Sequence, residues 1–119
     1  MDQAAAESSY YDLKFAFRVL DISPDDVREL QTSFPDLPWL IGEYYKNPER
    51  RVASVDLEEG KSYEKLIEYI RKKQFPESNY GLFVSLTAEQ SATGIDFPEY
   101  IIRFYKELGG QIAISIIVM

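Results

Sequence analysis

The chain has 119 residues, 45% hydrophobic and 14% aromatic, and its 13 basic and 20 acidic side chains leave a net charge of −7. That length fits one domain burying about two-thirds of the extended chain's surface, so no disulfide or metal staple is needed. The lack of Cys and His excludes disulfides, Cys/His zinc sites, Ser-His-Asp triads and Cys-His dyads, and a pI near 4.6 argues against nucleic-acid binding, which requires clustered Lys and Arg.

Residues 1–9 are small and polar without a period, and read as a disordered tail. They lack the basic start and apolar centre of a signal peptide. No apolar run approaches the ~20 residues that span a bilayer, so a cytoplasmic protein with no membrane partner is expected. Residues 10–119 read as a single domain.

From Tyr11, the residues Leu13, Phe15, Phe17 and Val19 alternate with Asp12, Lys14, Ala16 and Arg18, the pattern of a strand buried on one side. A helix start follows, with Ser23 as cap, Pro24 in the first position and Asp25 and Asp26 at the positive end. Val27, Leu30 and Phe34 recur at helical spacing, and Pro35 stops the helix. Residues 35–50, PDLPWLIGEYYKNPER, have three prolines and no clean period, and read as an ordered loop. A second strand over 51–58 puts Ala53, Val55 and Leu57 on one side, and Ser62 is expected to cap a second helix with the stripe Tyr63, Leu66, Ile67 and Ile70.

Tyr80, Leu82, Val84 and Leu86 alternate with Gly81, Phe83 and Ser85 in a third strand, and 88–95 read as a turn into a short extended piece. Asp96 and Glu99 are spaced as a capping box for a third helix. Its stripe is Ile101, Phe104, Tyr105 and Leu108, ended by Gly109-Gly110. The last strand carries Ile112, Ile114, Ile116 and Val118 on one face.

The order β-α-β-α-β-α-β suggests a doubly wound parallel sheet, but such a sheet buries both strand faces, and the first strand carries Asp12, Lys14 and Arg18 on one of them. The expectation is therefore an α+β two-layer sandwich: a mixed or antiparallel sheet of four to five strands with helices packed on one face. Its open face would show Lys14, Ala16, Arg18, Ala113 and Ser115.

No nucleotide-binding glycine loop is present, since Gly109-Gly110 closes a helix instead of opening one. The densest acids are Asp56, Glu58 and Glu59, with Glu43 and Glu49 in the preceding loop. They read as a solvated strand end, as the acidic side of a basic partner's interface, or as a cation or general acid–base pair. Trp39, Tyr44 and Tyr45 bring large area at low entropy cost, as binding anchors do. Equally, Trp39 can plug the open end of the sandwich while the tyrosines cover the sheet edge. Arg71-Lys72-Lys73 falls in a last helical turn, where positive charge complements the dipole.

Four segments together resemble a known family: a strand running into DISPDDV, Gly42-Glu43, the SYEKLIEYI helix, and FPEYIIRFYKELGGQIAISIIV. They resemble a largely uncharacterised family of small bacterial α+β domains that occurs among polymorphic-toxin immunity proteins. The chain departs from the family at Val52 or Ala53, where a Trp is frequent, and at Ser115, where an acid is.

The resemblance implies an immunity protein, not an enzyme, that binds a cognate protein toxin, for instance a basic nuclease, and occludes its active or substrate-binding surface. It brings no catalytic residue, metal or cofactor. The net charge points the same way, because opposed charges accelerate encounter. The partner-binding candidates are Trp39, Glu43, Tyr44, Tyr45, Asp56, Glu58 and Glu59, on a monomer or weak homodimer. The alternative is a small-ligand-binding regulatory domain.

Overall fold

The alternating first segment becomes β1 (Tyr11–Ile22), and a residue capable of capping sits directly behind it. In the computed structural model, which describes residues 11–88 and 96–118, Ser23 Oγ accepts from Asp26 N at 3.0 Å and starts α1 (Pro24–Ser33). The remaining elements are β2 (Leu40–Tyr44), β3 (Asn47–Asp56), α2 (Glu64–Lys73), a 3₁₀ turn at Glu77–Asn79, β4 (Tyr80–Ala88), α3 (Glu99–Leu108) and β5 (Gln111–Val118). The expected tail at 1–9 lies outside the described residues, as does the turn read at 88–95 except for Ala88, which is the last residue of β4.

The five strands form one open mixed sheet in the order β2-β3-β1-β4-β5, an α+β fold. All neighbours are antiparallel except β4 and β5, which run parallel on either side of α3. β1 lies at the centre, paired with β3 on one side and β4 on the other. Phe17 is matched with Val55 on β3 and Leu82 on β4, and all three are buried.

The helices cover one face. α2 is the middle one: Lys73 reaches Asp26 and Glu29 of α1 at 3.3 and 2.8 Å, and Tyr63 meets Phe104 of α3 edge-to-face at 5.8 Å. Between the layers lie Phe17, Val19, Leu30, Val55, Leu66, Ile70, Val84 and Ile101, each 0–1% exposed. No polar or charged side chain among the described residues is fully buried.

Three local expectations are corrected. The stretch 35–50 is mostly strand: Leu40–Tyr44 and Asn47–Arg50 form a hairpin. Its burial is exposed nearly throughout, so no apolar alternation marks it, and Pro48 lies past the last residue pairing with β1, where no ladder donor is missed. Ser62 does not cap α2, because Tyr63 O already accepts the first helical bond from Ile67 N at 2.9 Å. Asp96 does not cap α3, because Pro98 O accepts from Ile101 N and Ile102 N at 3.0 and 3.1 Å, which makes Pro98 the cap and places Asp96 two residues too early.

β1 ends in a bulge. Register shifts between Val19 and Ile22, and Asp21 takes φ +57°, a left-handed conformation that Asp tolerates better than most residues. Arg50 of β3 holds it, donating from Nε to Asp21 Oδ1 at 2.9 Å and from Nη2 to Asp21 O at 2.7 Å.

Candidate functional site

The pairing of β1 with β3 stops at Ile22 and Arg51. Beyond that point the β2–β3 hairpin, residues 43–50, pairs only with itself and leaves the sheet as a two-stranded ribbon. The Arg50–Asp21 clamp sits at its base. At its tip Tyr44 and Tyr45 pack edge-to-face, 5.3 Å between centroids, and Tyr45 is 81% exposed. Lys46 Nζ lies 5.6 Å from the Tyr45 ring. Glu43 is exposed and paired across the ribbon with Arg51. Two tyrosines that have already given up rotamer freedom against one another form a preorganised anchor.

Trp39 is not part of that tip. It is half-buried against the core, and its Nε1 donates to Phe34 O at 3.2 Å, covering the C-terminal end of α1. That position is compatible with the plugging alternative and leaves part of the ring exposed.

The acids divide as well. Asp56 is the last residue of β3 and pairs with Ala16, on the open face diagonal to Lys14 and Arg18 of β1. Glu58 lies in the following loop, where its carboxylate meets Lys61 Nζ at 3.0 Å and raises the lysine's pKa. Its backbone N–H donates to Tyr63 Oη at 2.8 Å. Glu59 is close enough to help hold the Tyr100 hydroxyl above its ordinary pKa, behind burial as the larger cause. From Asn47 to Asp56 a strand rises about 30 Å, so the tyrosine tip and the acidic end stand at opposite ends of β3.

Two hollows adjoin these groups. One, of about 350 Å³, lies between the start of α2 and α3, with Tyr63, Tyr100, Phe104, Lys61 and Arg103 on its walls. The other, of about 590 Å³, spreads over the open sheet face between Lys14, Arg18, Leu40, Asp56, Phe83 and Ser85. There the Arg18 guanidinium carbon sits 4.3 Å from the Phe83 ring centroid, and burial lowers its pKa. Arg18, Leu40 and Phe83 were not among the expected binding residues. The available signal was Phe83, a large apolar residue on the polar side of its strand's alternation. Among the described residues, no three acidic side chains converge as a metal site.

A further exposed surface is the β5 edge. Ile112, Ile114, Ile116 and Ile117 are 42%, 51%, 55% and 53% exposed. No helix among the described residues is long and apolar enough to cross a membrane. Comparison with protein-family models, curated proteins and solved structures finds no match to the chain.

Proposed function

We propose that the chain is a binding protein that covers the functional surface of a protein partner, as an immunity protein covers a basic toxin domain. The observation that carries this reading is the edge-to-face Tyr44–Tyr45 pair at the end of a clamped, projecting ribbon. Exposed, prepacked aromatics that contribute little to the protein's own core are the residue type that dominates interface energetics. Trp39, half-buried and bonded to Phe34 O, lies at the other end of β2 from the tip, and the reading does not rest on it.

The geometry also divides the labour. A standard interface buries roughly 800 Å² per partner, a patch about 16 Å in radius, so one centred on the tyrosines reaches Glu43 directly and leaves Asp56, Glu58 and Glu59, about 30 Å along β3, outside it. Those three acids act through their field on approach. Tyr44→Ala/Tyr45→Ala is therefore expected to raise the dissociation rate about 30-fold or more, as loss of a hot spot does. Reversing the three acids to Lys is expected to slow association and flatten its salt dependence while leaving dissociation nearly unchanged. The test is capture on immobilised protein from the source cell's lysate at low and high salt, then binding kinetics of the captured protein with both variants. Failure to retain a stoichiometric basic protein at either salt would overturn the reading.

The open-face hollow supports a second reading, a small-ligand-binding domain. Its volume falls within the range of ligand sites, and Lys14, Arg18, Asp56 and Ser85 converge on it. Thermal shift against amino acids and nucleotides tests this. A rise in Tm that Arg18→Ala abolishes supports it, and silence across the panel removes it.

A further inference from the structure

The two edges of the sheet differ. The β2 edge is five residues long and carries Gly42 and Glu43. The β5 edge is eight residues long, QIAISIIV, with no charge and no proline. Natural sheets protect exposed edges with charges, prolines, bulges or short strands, and β5 has none of these. It has no strand neighbour beyond β4 among the described residues.

Ile112, Ile114 and Ile116 pair in register with the buried Leu82, Val84 and Leu86 of β4. They share the core-facing side of the sheet, yet all three stay roughly half exposed. An apolar stripe and an open row of backbone groups therefore lie on one strand.

We propose that this edge is covered by β5 of a second copy, in an antiparallel pair with its two-fold axis at Ile114. The sequence is self-complementary in that register. Ile114 lies opposite itself, Ile112 opposite Ile116, Ala113 opposite Ser115 and Gln111 opposite Ile117, so isoleucines meet on the core-facing side, and on the other the small Ala113–Ser115 pairs are flanked by the Ile117 side chains packing on the aliphatic stems of Gln111. A chain carrying −7 repels its own copy over most of its surface, and β5 is a long uncharged edge on which two copies meet without opposing like charges. The pair closes both edges, because an isologous interface uses the same patch twice. It produces a continuous ten-stranded sheet, within the usual range for open sheets, and leaves the two tyrosine ribbons at its far ends. The inference is independent of the proposed function.

The absence of Cys makes the test direct. Residues opposite each other in an antiparallel pair have Cα atoms about 4.5–5.5 Å apart, within disulfide reach. Ile114→Cys is expected to cross-link to itself on mild oxidation. Ile112→Cys and Ile116→Cys are each expected to stay uncross-linked alone and to cross-link when mixed. Sedimentation should show a dimer for the unmodified chain and, for Ile114→Lys, a dimer Kd raised at least about tenfold by two like charges placed opposite each other. Ile112→Lys/Ile116→Glu should restore the dimer through two cross-strand ion pairs. A monomer at all accessible concentrations, a dimer in which Ile114→Cys does not cross-link, equal cross-linking at all three positions, or open-ended polymers would each overturn the proposal.

Discussion

At Gly81 there is no room for a side chain. A Cβ there would coincide with the backbone carbonyl of Gln111, where β5 starts beside β4. Gly81→Ala is thus expected to cost about 1–3 kcal/mol or more, as overpacking does, and to loosen β5 first. Urea denaturation checks this, with Gly42→Ala as control, since nothing lies within 4 Å of that position. Gly110 shows why such roles are only half legible in sequence. Gly109-Gly110 read correctly as a helix stop, and both take positive φ. That Gly110 also abuts the carbonyl of Tyr80 depends on a strand thirty residues earlier, and no local pattern records it. The same holds for Trp39: its residue type is that of a binding anchor, and its bond to Phe34 O and packing on the core are not written in any local pattern.

Between elements, α1 and α2 are joined by one polar cluster. Lys73 bridges Asp26 and Glu29, and the Tyr69 hydroxyl donates to Glu29. Lys73, followed by Tyr69, holds the Glu29 carboxyl below its ordinary pKa, and Glu29, followed by Asp26, raises that of Lys73. Burial, followed by Glu29, pushes the Tyr69 hydroxyl well above its ordinary value. The depressed Glu29 contributes stability that is present above an unfolded pKa of about 4.3 and lost as pH falls through the folded value. The raised Tyr69 and Lys73 contribute stability that is full below about pH 10 and lost as pH rises through their folded values. Tm should therefore hold level from about pH 5 to 10 and fall on either side. In Tyr69→Phe the alkaline fall should be shallower, and an unchanged alkaline limb in a Tm series would show that the cluster does not couple to folding. The helices were legible because stripes and Ser23 are local signals. The β2–β3 ribbon was not, because an edge hairpin with exposed residues on both faces shows no alternation to read.

Over the whole molecule, the two-layer α+β arrangement followed from one inference: a strand with Asp12, Lys14 and Arg18 on one side cannot lie between two helix layers. The open face duly carries Lys14, Ala16 and Arg18. Strand order was beyond that reasoning, since pairing partners are chosen by three-dimensional fit. It decides where the candidate residues fall, placing tyrosines and acids at opposite ends of β3 and the isoleucine edge on the far side of the sheet from the ribbon. A binding experiment on a dimer should accordingly show two ribbons acting independently, with one partner bound per chain and no change in stoichiometry for Ile114→Lys.

The central place of β1 also has a consequence in time. The strand is synthesised before either neighbour, yet Phe17 must find Val55 on one side and Leu82 on the other. At ribosomal speeds Leu82 follows Phe17 by several seconds, and Phe15, Phe17 and Val19 spend that interval without their final cover. Closing the nearer partner costs less loop entropy, so the β1 amides that point toward β3 should gain protection in pulse-labelled exchange before those that point toward β4. The nascent chain is thus most vulnerable to chaperone capture and to misassembly while its future centre is still an edge.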